Sequence, residues 1–127
     1  MTWREKIDAA HAAVTDAVSH YYAIKRERYI VWAEERPRDL VAEGRHAERA
    51  VRGTSDLFTK QEDDPWAAQL EAAYEAQGIA WYRNSTQYEP DTGFIHIEWV
   101  WEATDGAPAP PEPPEPEPDE TEREADA

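Results

Sequence analysis

An α+β fold is predicted by three features: an N-terminal stretch with helical period, a C-terminal stretch with two-residue alternation, and the order α-β-β-α-β-β between them. Thr2 can cap a helix whose apolar residues fall at Trp3, Ile7, Ala10, Val14, Val18 and Tyr21, all on one helical face. Glu5, Asp8, His11, Thr15, Asp16 and Ser19 take the opposite, solvent-facing side. Arg28 to Ala33 is rich in β-branched and aromatic residues and reads as a strand. Glu34 to Ala47 is polar, contains Pro37 and Gly44, and reads as a long loop. Glu48 to Thr59 reads as a second strand, in which Gly53 marks a bulge or a close backbone approach.

Asp63-Asp64-Pro65 opens a second helix, with a capping carboxylate before a proline at the first helical position, and Gly78 ends it. Ile79 to Tyr88 and Phe94 to Glu102 are strands joined by the turn-rich Glu89-Pro90-Asp91-Thr92-Gly93, hence an antiparallel hairpin. In the last strand Ile95, Ile97, Trp99 and Trp101 point one way, and His96, Glu98 and Glu102 the other. One-sided alternation needs a cover on one face. The expected architecture is therefore a four-stranded, mostly antiparallel sheet with two helices on one face. Its core anchors are Trp66, Leu70, Ile95, Ile97, Trp99 and Trp101.

Composition divides the chain in two. Residues 103–127 hold nine acidic side chains against Arg123 alone, seven of the ten prolines, and no Leu, Ile, Val or aromatic residue. Nothing there offsets the roughly 1–2 kcal/mol per residue that ordering a backbone costs, so an extended, self-repelling segment is expected. Residues 1–102 form the expected folded domain.

The whole chain of 127 residues has 28 Asp and Glu against 13 Lys and Arg, a net charge of −15. A broad phosphate-binding surface needs the opposite sign. The absence of cysteine excludes disulfides, thiolate metal sites and cysteine nucleophiles. No apolar run is long enough to span a membrane, and the first residues carry no apolar signal core, so neither secretion nor a membrane association is expected.

The sequence holds no phosphate-binding loop, no dinucleotide fingerprint, no nucleophile elbow and no H-E-x-x-H. His11 and His20, placed on the first helix, lack ligand spacing. His96 and Glu98 share a strand face, but a metal there needs a further ligand. Asp63 and Asp64 could be paired acids, yet their place before Pro65 favours capping. No catalytic residue, cofactor or metal site is assigned. Six tryptophans in about a hundred folded residues instead suggest a packed core together with interface anchors. Trp81 to Tyr88 carries large or polar groups on both strand faces, as strands that meet a partner often do.

Four blocks carry a resemblance. They are Gly53-Thr54-Ser55-Asp56-Leu57-Phe58-Thr59-Lys60, Asp64-Pro65, Trp81-Tyr82-Arg83-Asn84-Ser85-Thr86-Gln87-Tyr88-Glu89 and Asp91-Thr92-Gly93-Phe94-Ile95-His96-Ile97-Glu98-Trp99. From about Glu48 to Glu102 the chain resembles the tail-completion, or tail-terminator, proteins of long-tailed bacteriophages. The resemblance implies a non-enzymatic virion protein of the neck that forms a ring, typically a hexamer, at the head-proximal end of the tail tube. Its partners would be copies of itself, the tail-tube protein and the head–tail connector, with DNA passing through unbound. The acidic C-terminal segment is not part of that pattern. Two regions suit subunit contact: the 34–47 loop with Arg36, Arg38 and Arg45, and the exposed hairpin face with Asn84 (or its neighbour Arg83), Gln87, His96 and Glu98. The alternative expectation is a monomeric acidic adaptor, or a mimic of DNA charge, that binds a basic host protein.

Overall fold

The computed structural model describes residues 1–35 and 50–106. Within the described residues two helices and five strands follow one another: α1 (Trp3–Ala12), β1 (Val18–His20), β2 (Tyr29–Glu34), β3 (Ala50–Thr59), α2 (Pro65–Ala76), β4 (Ala80–Glu89) and β5 (Phe94–Thr104). They build one mixed sheet of order β1-β2-β3-β5-β4, in which β1 runs parallel to β2 and the other pairs are antiparallel. The class is the α+β expected, with a fifth strand and a shorter first helix.

That difference has a local cause. Thr2 does cap α1, through a reciprocal pair in which Glu5 N–H donates to Thr2 Oγ1 and Thr2 N–H donates to the Glu5 carboxylate. The expected helix to Tyr21 nevertheless stops at Ala12. Beyond it, Val14, Thr15 and Val18 are β-branched and disfavour helix. Thr15 Oγ1 accepts the Ala17 N–H at 3.0 Å, a local bond that competes with the helical ladder. Val18–His20 then pairs with Ile30–Trp32. Tyr21, expected in the core stripe, sits at φ 77° where the chain leaves the strand, and its side chain is exposed.

The second half keeps to expectation. Asp64 caps α2 by accepting the Trp66 N–H at 2.9 Å, and Pro65 occupies the first turn. At the other end Gly78 takes a φ of 68°. Gly78 N–H donates to Glu75 O and Ile79 N–H to Tyr74 O, the paired closure that left-handed glycine permits. The β4–β5 hairpin forms as predicted, and β5 continues two residues past Glu102. There Trp3 N–H donates to the Asp105 carboxylate and Gly106 N–H to Met1 O, joining the two ends of the fold.

Both helices cover the same sheet face. Ile7 and Ala10 of α1 and Leu70 and Tyr74 of α2 share one buried cluster with Ile30, Trp32, Leu57, Ile97, Trp99 and Trp101. Of the expected anchors, Leu70, Ile97, Trp99 and Trp101 are buried. Trp66 and Ile95 are only partly so, because each lies at the rim of the helical cover. Trp66 instead receives the Arg28 guanidinium on its ring at 3.7 Å.

Gly53 is a close approach and not a bulge, since both of its ladders keep register. A Cβ there would lie 2.3 Å from Trp101 Cζ2 and 2.6 Å from Ala33 O. The irregularity falls instead on β4, between Arg83 and Ser85.

Candidate interaction surface

The sheet face opposite the helices carries the residues singled out on the hairpin. Strand pairing sets Asp56 of β3 opposite Glu98 of β5, Phe58 opposite His96, and Gln87 of β4 opposite His96 on its other side. His96 Nε2 lies 2.7 Å from Asp56 Oδ1, and Asn84 Nδ2 donates to Glu98 Oε1 at 2.7 Å. Phe58 stacks on the His96 ring at 4.3 Å and on Tyr29 at 5.0 Å, while Phe94 meets both phenyl rings edge-on. The result is an aromatic ladder across three strands, ending in a polar patch.

His96 is held above the ordinary histidine range, first by its hydrogen bond to Asp56, against the opposing pull of burial, and then by the charges of Asp56, Glu89 and Glu98. Its cationic form relieves the juxtaposition of Asp56 and Glu98, two like charges set directly opposite each other. Asn84, Gln87, His96 and Glu98 therefore do come together. Arg36, Arg38 and Arg45 lie outside the described residues. Asp56 and Phe58 were missed, although β3 alternates visibly: Arg52, Thr54, Asp56 and Phe58 outward, Val51, Ser55, Leu57 and Thr59 inward. Among the described residues no three His, Asp or Glu side chains gather as a metal site.

A second polar cluster lies inside the core. His11, expected on the solvent side of α1, is buried, with Nε2 2.8 Å from Ser55 Oγ. Trp101 Nε1–H donates to the same oxygen at 3.0 Å. Burial pulls the His11 pKa down to about 3, so the ring is neutral. Serine beside histidine is the nucleophile–base pairing of acyl transfer, but Ser55 is fully buried and a substrate has no route to its oxygen. The pair serves packing: it satisfies the Trp101 indole beneath two helices. His20, also placed on α1 by the sequence, stands on β1 between Tyr21 and Trp32 and bonds Glu34 at 3.0 Å. Glu34, read as the start of the loop, ends β2 and also takes the Tyr21 hydroxyl.

The acid pair before Pro65 resolves as expected. Asp64 is buried and caps α2, and it accepts from Thr59 Oγ1 at 2.7 Å and from Arg28 Nε at 2.8 Å. Burial alone would raise its carboxyl pKa. The bonds from Arg28, Thr59 and the Trp66 N–H, with the Arg28 charge, outweigh burial and hold it below the usual range.

Among the described residues the outer hairpin strand is the most open element. β4 is a sheet edge, and most of its side chains are exposed on both faces. On the helix side Arg83 reaches Glu71 of α2 at 2.9 Å, and Trp99 Nε1–H donates to that same carboxylate. Beyond this anchor the hairpin extends past α2, leaving a groove of about 660 Å³ floored by Ile95 and Ile97.

No protein-family profile matches the chain, and no curated protein matches it either. No helix among the described residues is long and apolar enough to cross a membrane.

Proposed function

We propose that this chain is a structural protein of a long-tailed phage particle. In this reading it forms a ring, most simply a hexamer, that terminates the tail tube and joins it to the head connector. The observation that carries the reading is β4. It lies in the block that resembles tail-terminator proteins, and it is a ten-residue edge strand open on both faces. A monomer normally blunts such an edge, with lysine, proline, a bulge or a very short strand, and of these β4 has its bulge alone. β4 contains no lysine or proline and is interrupted only by its bulge at Asn84. The open-face pair of Phe58 and His96, with Asp56, Asn84, Gln87 and Glu98, is a second contact surface available to the tube or connector protein. The net charge of −15 suits a conduit through which DNA slides without being held. No turnover is assigned, and the place of action is the virion neck.

Sedimentation of the purified chain with assembled tail tubes tests this. Binding confined to tube ends, with a mass that is a multiple of the chain mass, is expected. A chain that stays monomeric and ignores tubes and connectors contradicts it. Truncation after Gly106 separates the acidic-adaptor reading: an adaptor that works through the C-terminal segment loses its partner, whereas a ring-former still assembles.

A further inference from the structure

We infer that the outer edge of β4 takes a further strand from a partner, and that the groove beside it selects a segment carrying an apolar side chain with a basic one two positions along. The bulge between Arg83 and Ser85 divides β4. Beyond it, residues 85–89 pair without interruption with residues 94–98 of β5. Because β4 ends the strand order, the N–H and C=O groups that it turns away from β5 have no ladder partner among the described residues. An extended peptide satisfies such groups by lengthening the sheet, and the side chains on one of its faces enter the pockets beside the edge.

The helix-side face supplies one such pocket. There β4 presents Arg83, Thr86 and Tyr88, set by register against Trp99, Ile97 and Ile95 of β5. Arg83 is drawn onto Glu71 of α2 at 2.9 Å, and Tyr88 stands clear, 65% exposed. Thr86, the smallest of the three, leaves a gap between them. Through that gap a side chain of an added strand passes onto Ile97 and Ile95, the floor of the groove of about 660 Å³. Ala67 and Ala68 in the first turn of α2 form its far wall, so the contact made there is apolar. The free charge of the groove is negative. Glu62 and Asp63 are exposed at its rim and make no ion pair or side-chain hydrogen bond among the described residues. Asp64 is matched by Arg28 and Arg83 by Glu71, while Lys60 turns to the open face, over the Phe94 ring at 5.1 Å. A basic residue two positions from the apolar one meets this rim, and an acidic one is repelled by it.

This names the partner chemistry of the edge on which the assembly reading rests, and it can fail independently of that reading. The probe is a labelled, blocked peptide, Thr-Arg-Thr-Ile-Thr-Arg-Thr. Its isoleucine and both arginines share one strand face, so either strand direction brings an arginine to the rim. Fluorescence anisotropy should show it binding the full-length chain, and amide exchange should slow across residues 85–89. Glutamate in place of both arginines, or N-methylation along the peptide backbone, should weaken binding about tenfold or more. Thr86→Trp fills the gap. Glu62→Lys with Asp63→Asn reverses the rim charge and keeps, at the φ of 51° of residue 63, a side chain that tolerates it. Each change should weaken binding by a similar factor in protein that keeps the wild-type far-ultraviolet spectrum. Binding that survives both changes, or exchange slowed elsewhere, would place the peptide on another acidic part of the chain and overturn the inference. No binding by a chain that still caps tail tubes would overturn it and leave the assembly reading standing. Binding by a chain that ignores tubes would uphold it and end that reading.

Discussion

Acid should open this domain from its centre, because the histidine under α1 is neutral and cannot take a proton in place. His11 titrates at about 3 in the folded chain and near 6.5 when exposed, and burial causes the difference. Between those values the unfolded chain binds a proton that the folded chain refuses. Stability from this group is therefore complete above about pH 6.5 and falls as pH drops toward 3. Each pH unit in the window is worth about 1.4 kcal/mol, so the whole window carries on the order of 5 kcal/mol. That is comparable with the entire stability of many small domains. His11→Gln keeps an amide within reach of Ser55 Oγ and cannot titrate. It should cost about 1–2 kcal/mol near neutrality, through imperfect fit and a weakened bond. Urea unfolding followed by tryptophan fluorescence, from about pH 8 to about pH 4, measures both chains. The wild-type curve should fall below that of H11Q at about pH 5. Parallel curves over that range would refute the claim that His11 is buried neutral.

Three further outcomes follow from packing and capping. Gly53→Ala drives a Cβ into the Trp101 ring and the Ala33 carbonyl, so it should lower stability by about 3 kcal/mol or more in chemical denaturation; a neutral effect would place Trp101 elsewhere. Trp99→Ala should cost about 3–5 kcal/mol, and Trp66→Ala, at the rim, about 1–2; equal urea midpoints would contradict the packing. Asp64→Ala removes the α2 cap and strands Thr59 and Arg28, and should cost about 2–4 kcal/mol, with Asp64→Asn losing roughly half of that. Because the Asp64 carboxyl is held low, the part of its contribution that depends on its charge is complete above about pH 4 and is lost as pH falls through its folded value, at the acid end of the His11 window. The gap between the thermal melts of D64A and wild type should narrow there.

What could be read in advance was local chemistry. The Thr2 and Asp64 caps, the Gly78 stop, the turn before Phe94 and the alternation of β5 each depend on neighbours in sequence, and each stands in the fold. The first helix was overextended because Val14, Val18 and Tyr21 continue its period by coincidence. Their β-branching and the Thr15 turn decide otherwise, and a three-residue strand exists only by virtue of its partner β2. The same error hid His11 from the core and His20 from the sheet. On the open face His96 and Glu98 were visible, but Asp56 was not, since only the register between β3 and β5, forty residues apart, sets it beside His96. Asn84 was a choice between two neighbours, and the β4 bulge settles it by turning Arg83 toward Glu71 and Asn84 toward Glu98. The openness of β4 was foreshadowed by large and polar side chains at successive positions.

The role proposed for this domain is to join copies of itself at the end of a tube. Electron microscopy of tail tubes assembled with the full-length chain puts it most directly to the test. A closed ring seated on one end of each tube, its repeating unit the size of this domain, is the predicted image. Bare tube ends beside single unassociated copies of the chain would contradict it.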